Sequence, residues 1–369
     1  MRLESRRFAP TDGRGVGAAP ALGKLTPEAF DALIAAHLGA KRDEVLSGPR
    51  AGHDAALVRI GAGRVMAVTT DPLSIVPAWG LERSARIACH LLASDLWTTG
   101  LPPAYASVSL HLSPSLSDED LARYAAAMGA EWERLGVAVV TGHTGRYEGS
   151  ESTVIGAATL IGVGDEGRTV TPAHAAPGDR VLVTKGCAIE TTAVAAHLFP
   201  RRMAARLEPP LLERARALAE QVSVVAECRA ALRVGVRERG VTALHDATEG
   251  GVLGGLLELA IGAGRDLRVE RAKIPLAREA AIACSILGVD PYWTLSEGTL
   301  IATVRPAHAA AVMAAIAEEG IAVADVGEVL SGAGVLWLTE PDGRITRVDR
   351  AEPDPYWAAY ERAVRERWE

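Results

Sequence analysis

The chain has 369 residues, 49% of them hydrophobic and 23% charged, with a formal charge of −7, an ordinary globular composition long enough for two cores. An acidic balance without basic runs excludes nucleic acid as the main partner, and no apolar stretch reaches the ~18–20 residues of a membrane span. The four cysteines form no CxxC and are expected to be reduced, buried thiols in a cytoplasmic protein.

Residues 1–23 are rich in Gly, Ala, Pro and Arg without hydrophobic periodicity and predict a flexible, glycine-rich arm. Thr26-Pro27 then opens a helix with Phe30, Leu33, Ile34 and Leu38 on one face and Gly39 as its stop. Strand patterns follow at 55–60, 65–70, 106–110, 137–141 and 153–163, with helices at 83–96 and from Ser117 to Gly136. Pro177-Gly178-Asp179 marks a turn into a strand at 180–184 and a helix reaching His197. Pro209-Pro210 introduces one long charged helix over 211–234, and 250–263 is a glycine-studded apolar helix fit for close packing on a sheet. Strands at 267–270, 299–304, 323–328 and 334–339 alternate with helices at 276–287 and 306–319, and 356–369 ends the chain as a short helix. Strands mixed with helices in both halves predict two α+β domains with a boundary near 165–178.

Gly162, Gly164 and Gly167 spell a literal GxGxxG after a strand, yet no helical pattern follows to aim an N-terminus at a pyrophosphate, so a dinucleotide site is rejected. Three aspartates recur in one setting: Asp54 in Gly52-His53-Asp54-Ala55, Asp71 in Thr70-Asp71-Pro72 and Asp95 in Ser94-Asp95-Leu96. Carboxylates gathered from separate elements suit a Mg²⁺–triphosphate site, although spacing alone favours turn, cap or solvated helix residues. Thr141-Gly142-His143-Thr144 reads as a loop after an apolar strand, with His143 able to ligate a metal or pair with phosphate. His245-Asp246-Ala247-Thr248-Glu249-Gly250-Gly251 leads into the apolar helix and offers either an anion seat or a cap by Asp246 or Thr248. Lys185, one of only four lysines, follows a strand; Ser296-Glu297-Gly298 reads as a turn.

In chain order these segments resemble the aminoimidazole ribonucleotide (AIR) synthetase superfamily, PurM-like, and within it the AIR synthase-related members, which are similar to the hydrogenase maturation protein HypE. The resemblance implies an α+β, two-domain architecture. A 1–23 arm precedes an N-terminal domain over 24–165, which binds ATP and metal and pairs into a barrel across a homodimer. A C-terminal α+β domain over 176–340 and a tail over 341–369 follow. It further implies ATP with Mg²⁺, or Mn²⁺ or another divalent ion, held by Asp54, Asp71 and Asp95. His53 would be a further metal ligand, and His143, Thr144 and Lys24 would lie at the nucleotide. Lys185, Asp246, Thr248 and Glu249 would face a small-molecule acceptor. The family's Gly-Asp-Asp-Ala and Gly-Asp-Thr stand here as Gly-His53-Asp-Ala and Gly-His143-Thr, so two carboxylates are histidines. HypE carries a cysteine in its C-terminal tail as the substrate of its own reaction; here the last residues are Arg367-Trp368-Glu369, so an acceptor from outside is expected. The function implied is ATP-dependent activation of an amide, carboxyl or phosphate oxygen by phosphoryl transfer. The alternatives are a small-molecule kinase resembling thiamine-monophosphate kinase and a non-catalytic dimeric nucleotide-binding or assembly protein.

Overall fold

The computed structural model describes residues 22–50, 52–150 and 152–369. The predicted arm over 1–23 therefore lies outside the described residues except at its end. No helix among the described residues is long and apolar enough to cross a membrane.

The first half builds a six-stranded sheet. Its strands are β1 (Val45–Ser47), β2 (Ala56–Gly61), β3 (Arg64–Ser74), β4 (Tyr105–Leu112), β5 (Ala138–Arg146) and β6 (Val154–Asp165), ordered β1-β2-β3-β6-β4-β5. All pairings are antiparallel except β4 with β5, which needs the crossover helix between them. Helix α1 (Pro27–Leu33) precedes the sheet, while α2 (Gly80–Trp97) and α3 (Asp118–Leu135) pack together beside it. Ala85, Ala88, Cys89, Leu92, Ala93 and Leu96 recur at helical spacing on α2 and are buried in the core, where Tyr124, Met128 and Trp132 of α3 meet them. Ser117 caps α3 by accepting from the Asp120 N–H at 3.0 Å, and Gly136 closes it at φ +74°.

The second half builds a seven-stranded sheet. Its strands are β7 (Arg180–Thr184), β8 (Val241–Ala247), β9 (Asp266–Glu270), β10 (Thr299–Val304), β11 (Val323–Leu330), β12 (Leu336–Thr339) and β13 (Ile345–Val348), ordered β13-β12-β9-β11-β7-β10-β8. Around it lie α4 (Ile189–Leu198), α5 (Pro200–Ala204), α6 (Pro209–Ala217), α7 (Val225–Val234), α8 (Gly251–Ala263), α9 (Arg278–Leu287), α10 (Ala309–Glu318) and α11 (Pro355–Arg365). Every residue of β8 and β10 is buried, so this end of the sheet is covered on both faces.

Several expectations change. The long helix over 211–234 is two helices, because the chain turns inward at Val222 and Val224, and the Gln221 and Ser223 carbonyls leave the helical ladder to accept from Lys185. The first helix stops at Leu33, and Leu33 and Leu38 lie exposed, without the buried face that would extend it. The presumed loop at 141–145 is strand: β5 runs on to Arg146, and a Cβ on Gly142 would sit 2.0 Å from the Val108 carbonyl oxygen, so glycine is required for close strand contact there. Gly162, Gly164 and Gly167 lead into single 3-10 turns at Glu166–Arg168 and Pro172–His174, and the next α-helix is α4 at Ile189.

Candidate functional site

The site forms where the two sheets meet. Gly52, at φ +76°, brings the chain against α8 so closely that a Cβ there would stand 2.2 Å from the Glu258 carbonyl oxygen. Two residues later Asp54 enters the junction, and His245 of β8 reaches it with Nδ1 2.7 Å from Asp54 Oδ1 and Nε2 3.1 Å from Glu258 Oε2. Gly255 lets α8 lie close to the sheet here, since a Cβ there would stand 2.9 Å from Ile301 Cδ1. Burial opposes charge on His245, but Asp54 and Glu258 outweigh it and hold the ring protonated well above its ordinary range. Burial likewise opposes charge on Asp54, and His245 and Lys24 nevertheless keep its carboxyl below the usual value.

The neighbouring acids are less well matched. Asp246 is 1% exposed with neither carboxylate oxygen partnered among the described residues, and burial together with Asp54 pushes it up to about 8. Thr69 of β3 donates to Asp95 Oδ2 at 2.9 Å and lies 3.1 Å from the Asp54 carbonyl, joining the two aspartate segments. Asp95 is raised well above its ordinary value by burial and then by Asp246, Asp71 and Asp54. Burial raises Asp71 to about 6, with Lys24 opposing and Glu249 reinforcing the shift. Further along, Glu297 is buried with Oε1 unpartnered and is also raised strongly, and burial raises Glu190 of α4 to about 8, helped by Glu249, Asp354 and Asp71. Lys24 answers part of this negative charge: Glu258, Asp54, Asp95 and Asp246 keep its ammonium protonated against burial, while its backbone N–H donates to Glu249 Oε2 at 2.7 Å.

Asp54, Asp71, Asp95, Lys24, Asp246 and Glu249 thus gather at one junction. The other expected residues make contacts of their own. His53 points to Ser47 Oγ, 2.6 Å from Nδ1, and is held neutral by burial and Arg50, down to about 4. His143 and Thr144 stand on exposed β5, where His143 Nε2 meets the Tyr147 hydroxyl at 2.6 Å beside a groove of about 460 Å³ lined by Val108, Leu110, Val139 and Val140. Lys185 lies 2.5 Å from Glu227 and donates to the Gln221 and Ser223 carbonyls, lining a separate cavity of about 710 Å³ with His90 and Glu131. Thr248 uses its carbonyl to accept from Gly251 and Ser296. The anion seat expected at the start of α8 is filled from within: Asp354 accepts the Gly250 N–H at 2.8 Å, the role foreseen for Asp246 or Thr248. His245, Glu258, Glu190, Glu297 and Asp354 were not foreseen as site residues. Glu258 had a signal, being the one charge in the apolar run 250–263.

Two sheets, each with its own helices, whose facing ends bring Asp54, Asp71, Asp95, Asp246 and Glu249 beside Lys24 and His245, define a two-domain α+β class with a carboxylate-rich junction between the halves. Residues 52–163 match the AIR synthase related protein N-terminal domain and residues 176–337 its C-terminal domain, and the chain belongs to this family. Among curated relatives it is 30% identical over 270 residues to the carbamoyl dehydratase HypE of Rhizobium leguminosarum bv. viciae, covering 72% of this chain and 73% of that protein. Among solved structures, HypE in complex with ATP superposes with a TM-score of 0.63 at 23% identity, covering 90% of this chain and 94% of the other. AaThiL complexed with AMPPCP and TMP gives 0.67 at 19% identity, covering 91% and 99%. The fold is therefore that of the PurM-like, HypE-like proteins.

Proposed function

We propose that this protein is an ATP-dependent enzyme, HypE-like in chemistry, which binds ATP with a divalent ion at the sheet junction and activates an amide, carboxyl or phosphate oxygen of a small acceptor by phosphoryl transfer. The observation that carries this reading is the unpartnered, 1% exposed Asp246 among Asp54, Asp71 and Asp95, a concentration of buried carboxylate that Lys24 and His245 balance only in part. Such a donor set fits a divalent ion, Mg²⁺ or Mn²⁺, with Asp54, Asp71, Asp95 and Asp246 as the acids that would hold it. A bound ion would neutralise triphosphate charge. Lys24, anchored through its backbone to Glu249, brings an ammonium to meet phosphate oxygens, and positioning by both halves excludes water. The buried Glu297 carboxyl, raised well above its ordinary range by burial and neighbouring acids and with Oε1 unpartnered among the described residues, would hydrogen-bond a polar acceptor.

The acceptor is a separate molecule in this reading. All four cysteines are buried in cores with their thiols pushed up by burial, so none serves as an internal acceptor of the HypE kind. Four free buried thiols also fit a reducing, cytoplasmic setting. A homodimer is supported by β5, an edge strand carrying Val139 and Val140 more than half exposed, a surface that demands cover.

Calorimetric titration of ATP with Mg²⁺ or Mn²⁺ into wild type and Asp71→Ala tests the site. Binding by wild type and a loss of at least about tenfold in the variant is expected; equal binding by both refutes the assignment. ADP release is then followed across amide, carboxylate and phosphate acceptors, and ATP binding that never yields ADP identifies a non-catalytic binding protein instead.

A further inference from the structure

Asp54, His245 and Asp246 each place one ligand atom within 4.8 Å of the others. They are a mixed donor set, two carboxylates and an imidazole, drawn from both halves of the molecule. His245 Nδ1 and Asp54 Oδ1 are 2.7 Å apart, close to the separation of neighbouring ligands around one ion at ~2 Å bond lengths. Asp246 supplies the independent sign of a missing ligand: it is 1% exposed, and neither oxygen has a hydrogen-bond partner among the described residues.

The other face of the imidazole is as informative. Nε2 of His245 lies 3.1 Å from Glu258 Oε2. A histidine that ligates a metal through one nitrogen characteristically donates its other N–H to a carboxylate, which fixes the tautomer and makes the ligating nitrogen more basic. Glu258 is itself held in place, because Gly52 packs against its backbone carbonyl and α8 lies along β8. The chain thus has a carboxylate–imidazole pair directed at the point where two aspartates converge.

We propose that His245 Nδ1, Asp54 and Asp246 form a mixed nitrogen–oxygen site that selects a first-row transition dication, Mn²⁺ through Zn²⁺, over Mg²⁺, with Glu258 as the residue that orients the histidine. On binding, the Nδ1 proton leaves to solvent, Nε2 keeps its proton for Glu258, and the ion takes the position between Nδ1 and the two carboxylates. Magnesium prefers an all-oxygen shell and dehydrates reluctantly, whereas imidazole suits the transition ions. The preference rests on the divalent-ion reading given above but concerns the ion alone, without nucleotide. The histidine that supplies nitrogen is His245, from the second half, while His53, the neighbour of Asp54 in sequence, is turned away to Ser47.

The test uses the full chain, freed of metal with a chelator and loaded with Mn²⁺ in the absence of ATP. Pulsed electron paramagnetic resonance is expected to show modulation from one directly bound imidazole nitrogen in wild type. His245→Gln should abolish that signal and weaken Mn²⁺ at least about tenfold, while the Mg²⁺ constant, read by competition, moves less than about threefold. Glu258→Gln should retain the nitrogen signal and weaken Mn²⁺ by about tenfold. Circular dichroism verifies that both variants fold; where one does not, the wild-type spectrum decides the nitrogen ligand and competition of Mg²⁺ against Mn²⁺ on wild type decides the preference. Absence of nitrogen modulation, absence of Mn²⁺ binding, or equal shifts for Mn²⁺ and Mg²⁺ overturns the proposal. Nitrogen-ligated Mn²⁺ in a protein that never binds ATP sinks the ATP-dependent reading and leaves this one standing; Mg-ATP binding without nitrogen ligation does the reverse.

Discussion

Asp246→Asn keeps the shape of a buried side chain and removes its charge. In the metal-free protein the carboxyl is raised from 3.8 to about 8, by burial and Asp54, with His245 and Lys24 opposing. The folded state therefore holds a proton that the unfolded chain gives up, so this group costs stability increasingly as pH rises from about 4 to about 8. At one pKa unit per ~1.4 kcal/mol, the penalty grows from about 2 kcal/mol near pH 5 to about 5 kcal/mol near pH 7.5. Burying the new amide carries its own cost, but that cost does not titrate, so it cancels when the two pH values are compared. Urea unfolding in a chelator should show the variant gaining about 3 kcal/mol on wild type between those two conditions. A saturating divalent ion should then reverse the order, stabilising wild type and not the variant. A stability difference that stays flat with pH refutes the placement of Asp246 as a charge held in reserve for a cation.

Gly52→Ala forces a Cβ to within 2.2 Å of the Glu258 carbonyl at φ +76°, so the loop must leave α8; thermal melts should show a loss of about 1–3 kcal/mol, and divalent-ion affinity should fall with it. Lys185→Met leaves Glu227, 1% exposed, without its cation and should cost about 3–5 kcal/mol by urea unfolding. ATP affinity measured on the folded Lys185→Met fraction should be unchanged, since Lys185 lies outside the carboxylate junction. Val140→Lys on exposed β5 should convert a dimer to monomers in sedimentation velocity; an unchanged sedimentation coefficient in a dimeric protein places the interface elsewhere.

Period and punctuation made much of the fold legible. The 85, 88, 89, 92, 93, 96 spacing of α2, the cap at Ser117 and the alternation along β3 and β6 each depend on neighbours in sequence, where pattern is informative. Strand β8 escaped because His245 and Asp246 interrupt its apolar run, although the whole strand is buried. The three family aspartates were recognisable by motif and do converge. Their partners were not, since the His245–Asp54 pair spans 191 residues and no local spacing encodes it. Losing a family carboxylate at His53 and at His143 suggested altered metal chemistry at those positions; His53 Nδ1 meets Ser47 and His143 Nε2 meets Tyr147.

Asp354 closes the first turns of two helices at once, accepting from Gly250 ahead of α8 and from Tyr356 in α11, and it receives the Thr294 hydroxyl as well. One carboxylate thereby latches the end of the chain onto a loop 104 residues earlier. Docking of α11 is thereby coupled to the start of α8, so that loosening either end is felt at the other. Cutting the chain before residue 350 would do more than shorten it: the freed amides at the start of α8 would present an unfilled positive pole beside the carboxylates that now share Lys24.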